Sequence, residues 1–158
     1  MFLPEFKAPF KSFQFLKQLE PSRGLMAMLM LHDVLPWIQF CNSLPIIDAL
    51  DALDEFGFIN AEFIPYFADI SPAVTDMEKV HVSIYRKEGE VLAVIANLSR
   101  EDASGTIQFN ENRLGITFES MVSWPDRTSL DYHGRVLYLE VPRQGYRMVL
   151  ISGKTKKE

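Results

Sequence analysis

Apolar residues recur along the chain in three textures, and each predicts a different element. Near the start Phe6, Phe10, Phe13 and Leu16 recur at the helical period, predicting a short amphipathic helix from about Pro9 to Leu19. Pro21-Ser22-Arg23-Gly24 is expected to end it. The run Leu25-Met26-Ala27-Met28-Leu29-Met30-Leu31 is apolar at every position. A half-exposed strand would alternate with polar residues, so the run predicts a strand buried on both faces, of the kind found in parallel sheets covered by helices. A buried helical turn competes, because Met, Leu and Ala favour helix. Gly24 before the run and His32-Asp33 after it weigh toward the strand.

The next pattern is helical. Ile46, Ile47, Leu50 and Leu53 share one face, and Asp48, Asp51, Asp54 and Glu55 the other. Asn42 or Ser43 suits the N-cap, Pro45 the first turn and Gly57 the C-terminal stop. From Lys79 onward the period changes to two. Val80, Val82 and Ile84 share a face; a turn at Lys87-Glu88-Gly89-Glu90 leads to Val91–Ala96, apolar on both faces and therefore central. Gly105–Phe109, Ile116–Trp124, Arg135–Val141 and Tyr146–Ile151 complete about six strands. Short strands at regular spacing, separated by Asn, Gly, Asp and Pro, predict an antiparallel β-sandwich. Its core is expected to hold Val80, Val82, Ile84, Val94, Phe118, Leu139 and Met148. The expected organisation is a helical segment with one buried strand over 1–72, a β-sandwich over 77–152 and a frayed tail over 153–158.

Composition narrows the function classes. The 158 residues carry 16 Lys and Arg against 21 Asp and Glu, a net charge of −5. An acidic total opposes non-specific nucleic-acid binding, which needs a basic face to displace counterions. No apolar run approaches the eighteen or so residues of a membrane span. Without a hydrophobic leader at the start, the expected location is cytoplasmic, with neither a nucleic-acid nor a membrane partner. One cysteine, Cys41, excludes an internal disulfide framework and a cysteine-cluster metal site. No cofactor is expected: Gly-rich phosphate loops are absent, and His32, His81 and His133 are far apart in sequence.

The strand ending Ser-Ile-Tyr-Arg, then Val-Leu-Ala-Val-Ile-Ala-Asn-Leu-Ser, is similar to the C-terminal β-sandwich of many barrel glycoside hydrolases. The closing Leu137–Ile151 stretch, LYLEVPRQGYRMVLI, is similar to it as well. Upstream, Met30-Leu-His-Asp-Val34 and Phe56-Gly-Phe-Ile-Asn-Ala-Glu-Phe-Ile-Pro-Tyr-Phe67 resemble the end of the glycoside hydrolase family 123-like group. The resemblance covers about residues 22–152. It implies a mainly β fold with some α: a C-terminal β-sandwich preceded by the last strand (Leu25–Leu31) and last helix (Leu44–Phe56) of a (β/α)8 barrel. The chain departs from that pattern in length, since most of a barrel would lie outside it.

In an intact barrel the strand's C-terminal end is where active sites form. His32 and Asp33 there would line a sugar site, and Trp37 would stack on a ring. Glu62, in the matched aromatic stretch, joins them as a candidate. The plainer assignment makes His32 and Asp33 a strand end, Trp37 core and Glu62 a structural acid. Glycosidases need two carboxyl groups across the scissile bond, and no such pair is legible; the acids at 48–55 follow the spacing of a solvated helix face. No catalytic or metal-ligating residue is assigned. The expected role is a non-catalytic, structural part of a glycoside hydrolase-like protein. The alternative is a free-standing module binding carbohydrate or protein, with Trp124, Tyr132 and Tyr138 as candidate aromatics. Expected partners are a missing barrel domain, carbohydrate, or a second copy covering the edge of Leu25–Leu31.

Overall fold

The computed structural model describes residues 19–36 and 41–156; the helix expected from Pro9 to Leu19 lies almost wholly outside them. Among the described residues nine strands form two antiparallel sheets. In the first the order is β1 (Glu62–Ile64), β3 (Val80–Lys87), β4 (Glu90–Asn97), β9 (Gly145–Thr155), β6 (Ile116–Ser123). In the second it is β2 (Ala73–Thr75), β5 (Ala103–Phe109), β8 (Val136–Val141), β7 (Tyr132–His133). The β-sandwich predicted from the period-two pattern is therefore present. Three strands too short to show a pattern, β1, β2 and β7, complete its sheets.

A third layer covers the outer face of the five-stranded sheet. It is made by α1 (Leu19–Met30) and α2 (Ser43–Phe56). The expected strand at Leu25–Leu31 is wrong: the run is the C-terminal half of α1 and the turn that follows. Its buried positions are Met26, Ala27, Met30 and Leu31, while Met28 is exposed. This is a helical stripe. Pro21 stands in the first turn of the helix, where its missing N–H costs nothing, rather than ending one. Gly24 lies inside α1 because a Cβ there would meet the Gln144 carbonyl oxygen at 3.2 Å. A helix satisfies its own backbone groups, so the unpaired edge behind the expected homodimer does not exist. With it goes the last barrel strand expected from the resemblance.

The second helix forms as predicted. Asn42 Oδ1 accepts from the Leu44 N–H at 3.1 Å, and Gly57, at φ 80°, closes the end by donating to Leu53 and Asp54 carbonyls. Ile46, Ala49, Ala52, Leu53 and Phe56 are buried, whereas Ile47 faces solvent. Asp48, Asp51, Asp54 and Glu55 are exposed, as a solvated face requires.

The two covered faces of the five-stranded sheet divide the core. Val80, Val82, Ile84, Val91, Ala93 and Ile95 point between the sheets. Tyr85, Leu92, Val94, Met148 and Leu150 point at the helices. Val94 and Met148, expected inside the sandwich, thus lie beneath the helical layer, and Phe118 and Leu139 are half-buried at the edge of the inter-sheet core. At the end of the chain Lys154 and Thr155, expected to fray, pair with Thr117 and Ile116. At the end of β4 Asn97 is fully buried and its Nδ2 donates to the Glu101 and Val141 carbonyls. Among the described residues no helix is long and apolar enough to cross a membrane.

Candidate functional site

The C-terminal end of α1 brings two of the four candidate residues onto the sheet. The helix closes with the Val34 N–H donating to the Leu29 carbonyl at 3.1 Å, and Asp33 takes the left-handed conformation at φ 52°. Asp tolerates that region better than most residues, and helices commonly end this way. The turn aims the Asp33 carboxylate at β3, where Tyr85 Oη donates to its Oδ1 at 3.0 Å. One residue earlier, the His32 ring donates from Nδ1 to the Met28 carbonyl at 2.8 Å. Fully buried Ser83 ties the same corner together. Its hydroxyl donates to the Leu31 carbonyl at 2.9 Å and accepts from the Tyr66 N–H at 3.0 Å.

His81, which sequence reasoning did not single out, belongs to this corner. Its ring lies 4.5 Å from that of Tyr66, whose other neighbours are His32 at 5.5 Å and Phe67 at 5.2 Å. Two of the three histidines judged far apart are therefore brought to one tyrosine. The signal was its position: His81 shares a strand face with Ser83 and Tyr85, an unusually polar row for a covered sheet. Burial holds the His81 imidazole below its ordinary value, and positive charge on His32 adds to that. Burial likewise pushes the Tyr85 phenol up, reinforced by the Asp33 charge.

The His81 shift has a measurable consequence. A depressed folded-state value means the unfolded chain binds the proton more readily. The contribution of neutral His81 is fully present above the unfolded value near 6.5 and is lost as pH falls toward the folded one. Unfolding midpoints in urea at pH 7.5 and 5.5 should show lower stability at the acid pH, and the difference should shrink in His81→Gln. An unchanged difference would place the dependence on other groups.

Glu62 is not part of this corner. It pairs in register with Arg86, whose Nε donates to Glu62 Oε2 at 3.0 Å and whose Nη1 donates to the Arg113 carbonyl. Arg86 alternates with Tyr85, so it shares the face of Ile84 toward the second sheet, while Tyr85 and Phe63 face the helices. Asp33 and Glu62 therefore sit on opposite faces of one sheet, each with a partner. Trp37 lies outside the described residues.

Two hollows adjoin the corner. One, lined by Met30, Asp33, Leu50, Phe58 and Tyr85 among others, has a volume of about 10 Å³, at the lower limit for a single water. The other is an open groove of about 220 Å³ between β2 and β3, lined by Tyr66, Ser71, Val74, Thr75, His81 and Val82 among others. His133 stands on β7 in the other sheet, and no group of three metal-ligating side chains converges among the described residues. Trp124 is core rather than surface: it is 6% exposed and its indole N–H donates to the Ala52 carbonyl at 2.8 Å. Tyr132 and Tyr138 are exposed.

A model of the glycoside hydrolase 123 C-terminal domain matches residues 48–126, from the middle of α2 through β6 to the turn after Trp124. The chain belongs to that family. The glycoside hydrolase 123 C-terminal domain described here also resembles, in fold, a solved GH30 endoxylanase from Clostridium papyrosolvens C71. The TM-score is 0.57 at 13% identity, over 88% of this chain and 40% of that one. No curated protein matches. The chain is thus a glycoside hydrolase-related domain that spans well under half the length of the endoxylanase.

Proposed function

We propose that this domain is the non-catalytic, structural β-sandwich of a glycoside hydrolase-type protein, working beside a catalytic barrel outside this chain. The observation that carries the reading is the separation of the acids. Acid–base hydrolysis needs two carboxyl groups facing one bond, about 5–10 Å apart across it. Asp33 is engaged by Tyr85 on the helix side and Glu62 by Arg86 on the other. The hollow beside Asp33 is too small for a sugar ring. The family match and the partial span of the endoxylanase support an accessory placement.

A panel of aryl glycosides and polysaccharides tests this with the purified chain. No turnover is expected. Turnover abolished by Asp33→Ala or Glu62→Ala would contradict the reading.

One observation favours the carbohydrate-binding alternative. On the outer face of the four-stranded sheet Tyr138, 51% exposed, stands beside Thr106 in register, whose hydroxyl is taken by Asp76, with exposed Ser104 and Gln108 along the same row. A ring able to stack on a sugar and a line of hydroxyl and amide groups suit a glycan chain. Retention on insoluble polysaccharide, without turnover and lost in Tyr138→Ala, would select it.

A further inference from the structure

The first sheet has a stretch of edge that its own chain abandons. Strand β1 pairs with β3 only from Ile84 to Arg86. Continued in register, Tyr66 would face Val82. Pro65, with no N–H, intervenes, and the Tyr66 N–H turns aside to the Ser83 hydroxyl. The ladder fixes what is left behind. The Leu98 N–H donates to the Lys79 carbonyl, so by the alternation of antiparallel pairs Lys79, His81 and Ser83 bond toward β4. Val82 then directs its N–H and C=O the other way, into the groove. Opposite, the Asn110 N–H donates to the Pro72 carbonyl and the Asp76 N–H to the Thr106 carbonyl, which leaves Thr75 facing outward from β2 by the same rule. Among the described residues nothing pairs with these backbone groups of Val82 or Thr75.

We propose that this groove is a strand-addition site: an extended polypeptide segment with basic side chains takes the row that β1 vacates beside Val80–Ser83. Main-chain pairing at an open sheet edge is a recurrent mode of peptide recognition, and unprotected edges otherwise invite aggregation. The groove offers backbone donors and acceptors, while its serine and threonine hydroxyls are already engaged. Ser71 Oγ donates to the Ala73 carbonyl and Thr75 Oγ1 to the Thr106 carbonyl, which disfavours a sugar. Tyr66, His81 and Val74 supply side-chain contacts, with exposed Phe67 and Ile70 on the loop that forms one wall. Of the charges around the groove, Asp76 is held by the Thr106 N–H and hydroxyl, Glu78 lies 3.8 Å from the Lys79 ammonium, and Arg113 donates to the Ser71 carbonyl, so exposed Asp69 is what favours a basic residue in the partner. The inference does not depend on a hydrolase preceding the domain.

Amide hydrogen exchange on the isotopically labelled chain tests it, with a synthetic decapeptide of alternating valine and lysine as probe. In the free protein the Val82 amide should exchange fast while those of His81 and Ser83 are protected. Millimolar peptide should slow Val82 exchange about tenfold or more. The same peptide N-methylated at every residue keeps charge and side chains but loses its donors, and should have no effect. Protection of Val82 in the free protein overturns the proposal, as do no slowing by the peptide and equal slowing by the methylated form. Slowing by a xylan oligosaccharide instead of the peptide, or by raising the protein concentration alone, assigns the edge to another occupant and overturns it too.

Discussion

Phe56→Ala is expected to destabilise the domain by about 3–5 kcal/mol, the range for truncating a buried aromatic ring. Phe56 is 2% exposed at the end of α2, in the cluster with Met26, Met30, Tyr85 and Leu92 that binds the helices to the sheet. The void would be bordered by a sheet that itself packs on a second sheet, so its floor cannot rise to fill the space. The ring also lies under the Lys87 ammonium, 4.4 Å from its centroid, and that ammonium donates to the Phe56 carbonyl at 2.6 Å. Ile47→Ala on the same helix removes an exposed side chain and should stay within about 0.5 kcal/mol. Urea unfolding of the two variants measures both. Equal losses would mean that the buried face of α2 has been assigned wrongly.

Gly153→Ala should cost about 3 kcal/mol, at the upper end of what overpacking does. A Cβ on Gly153 would stand 2.9 Å from the Thr117 carbonyl carbon and 3.3 Å from the Phe118 Cα, and closer still to the Thr117 oxygen. These are backbone atoms in a paired strand, next to the bulge where β6 shifts register between Phe118 and Ser120. They cannot swing aside as a flexible side chain would. Thermal unfolding of the variant checks this. A loss below about 1 kcal/mol would show that the β6–β9 bulge has room to spare.

What the sequence revealed of this fold depended on whether the signal was local. The sandwich was legible because period two over Val80–Ile84 and turn residues at regular intervals survive without knowledge of partners. Helix α2 was legible from Asn42, Pro45 and Gly57. The run Leu25–Leu31 was not, because seven apolar residues fit a buried strand and a buried helical turn equally well. The length of the run itself suited a strand, and Pro21 and Gly24 concealed the full 12 residues of the helix. One occupies the first turn and the other answers a close approach by Gln144 that no local pattern reveals. Both faces of β3 are covered, so reading only its valine face left His81, Ser83 and Tyr85 unexplained, and these hold the corner at Asp33. Glu62 seemed a companion of Asp33 because both lie in motifs of one family resemblance. Only the β1–β3 register, which gives it Arg86, separates them.

The most direct test of the central claim, that Asp33 and Glu62 belong to different faces and form no acid pair, is a double-mutant cycle. Unfolding free energies would be measured for Asp33→Ala, Glu62→Ala and the double variant. Side chains with separate partners should give additive losses, with a coupling within about 0.5 kcal/mol. A coupling above about 1 kcal/mol would put both carboxylates in one interacting site and contradict the account.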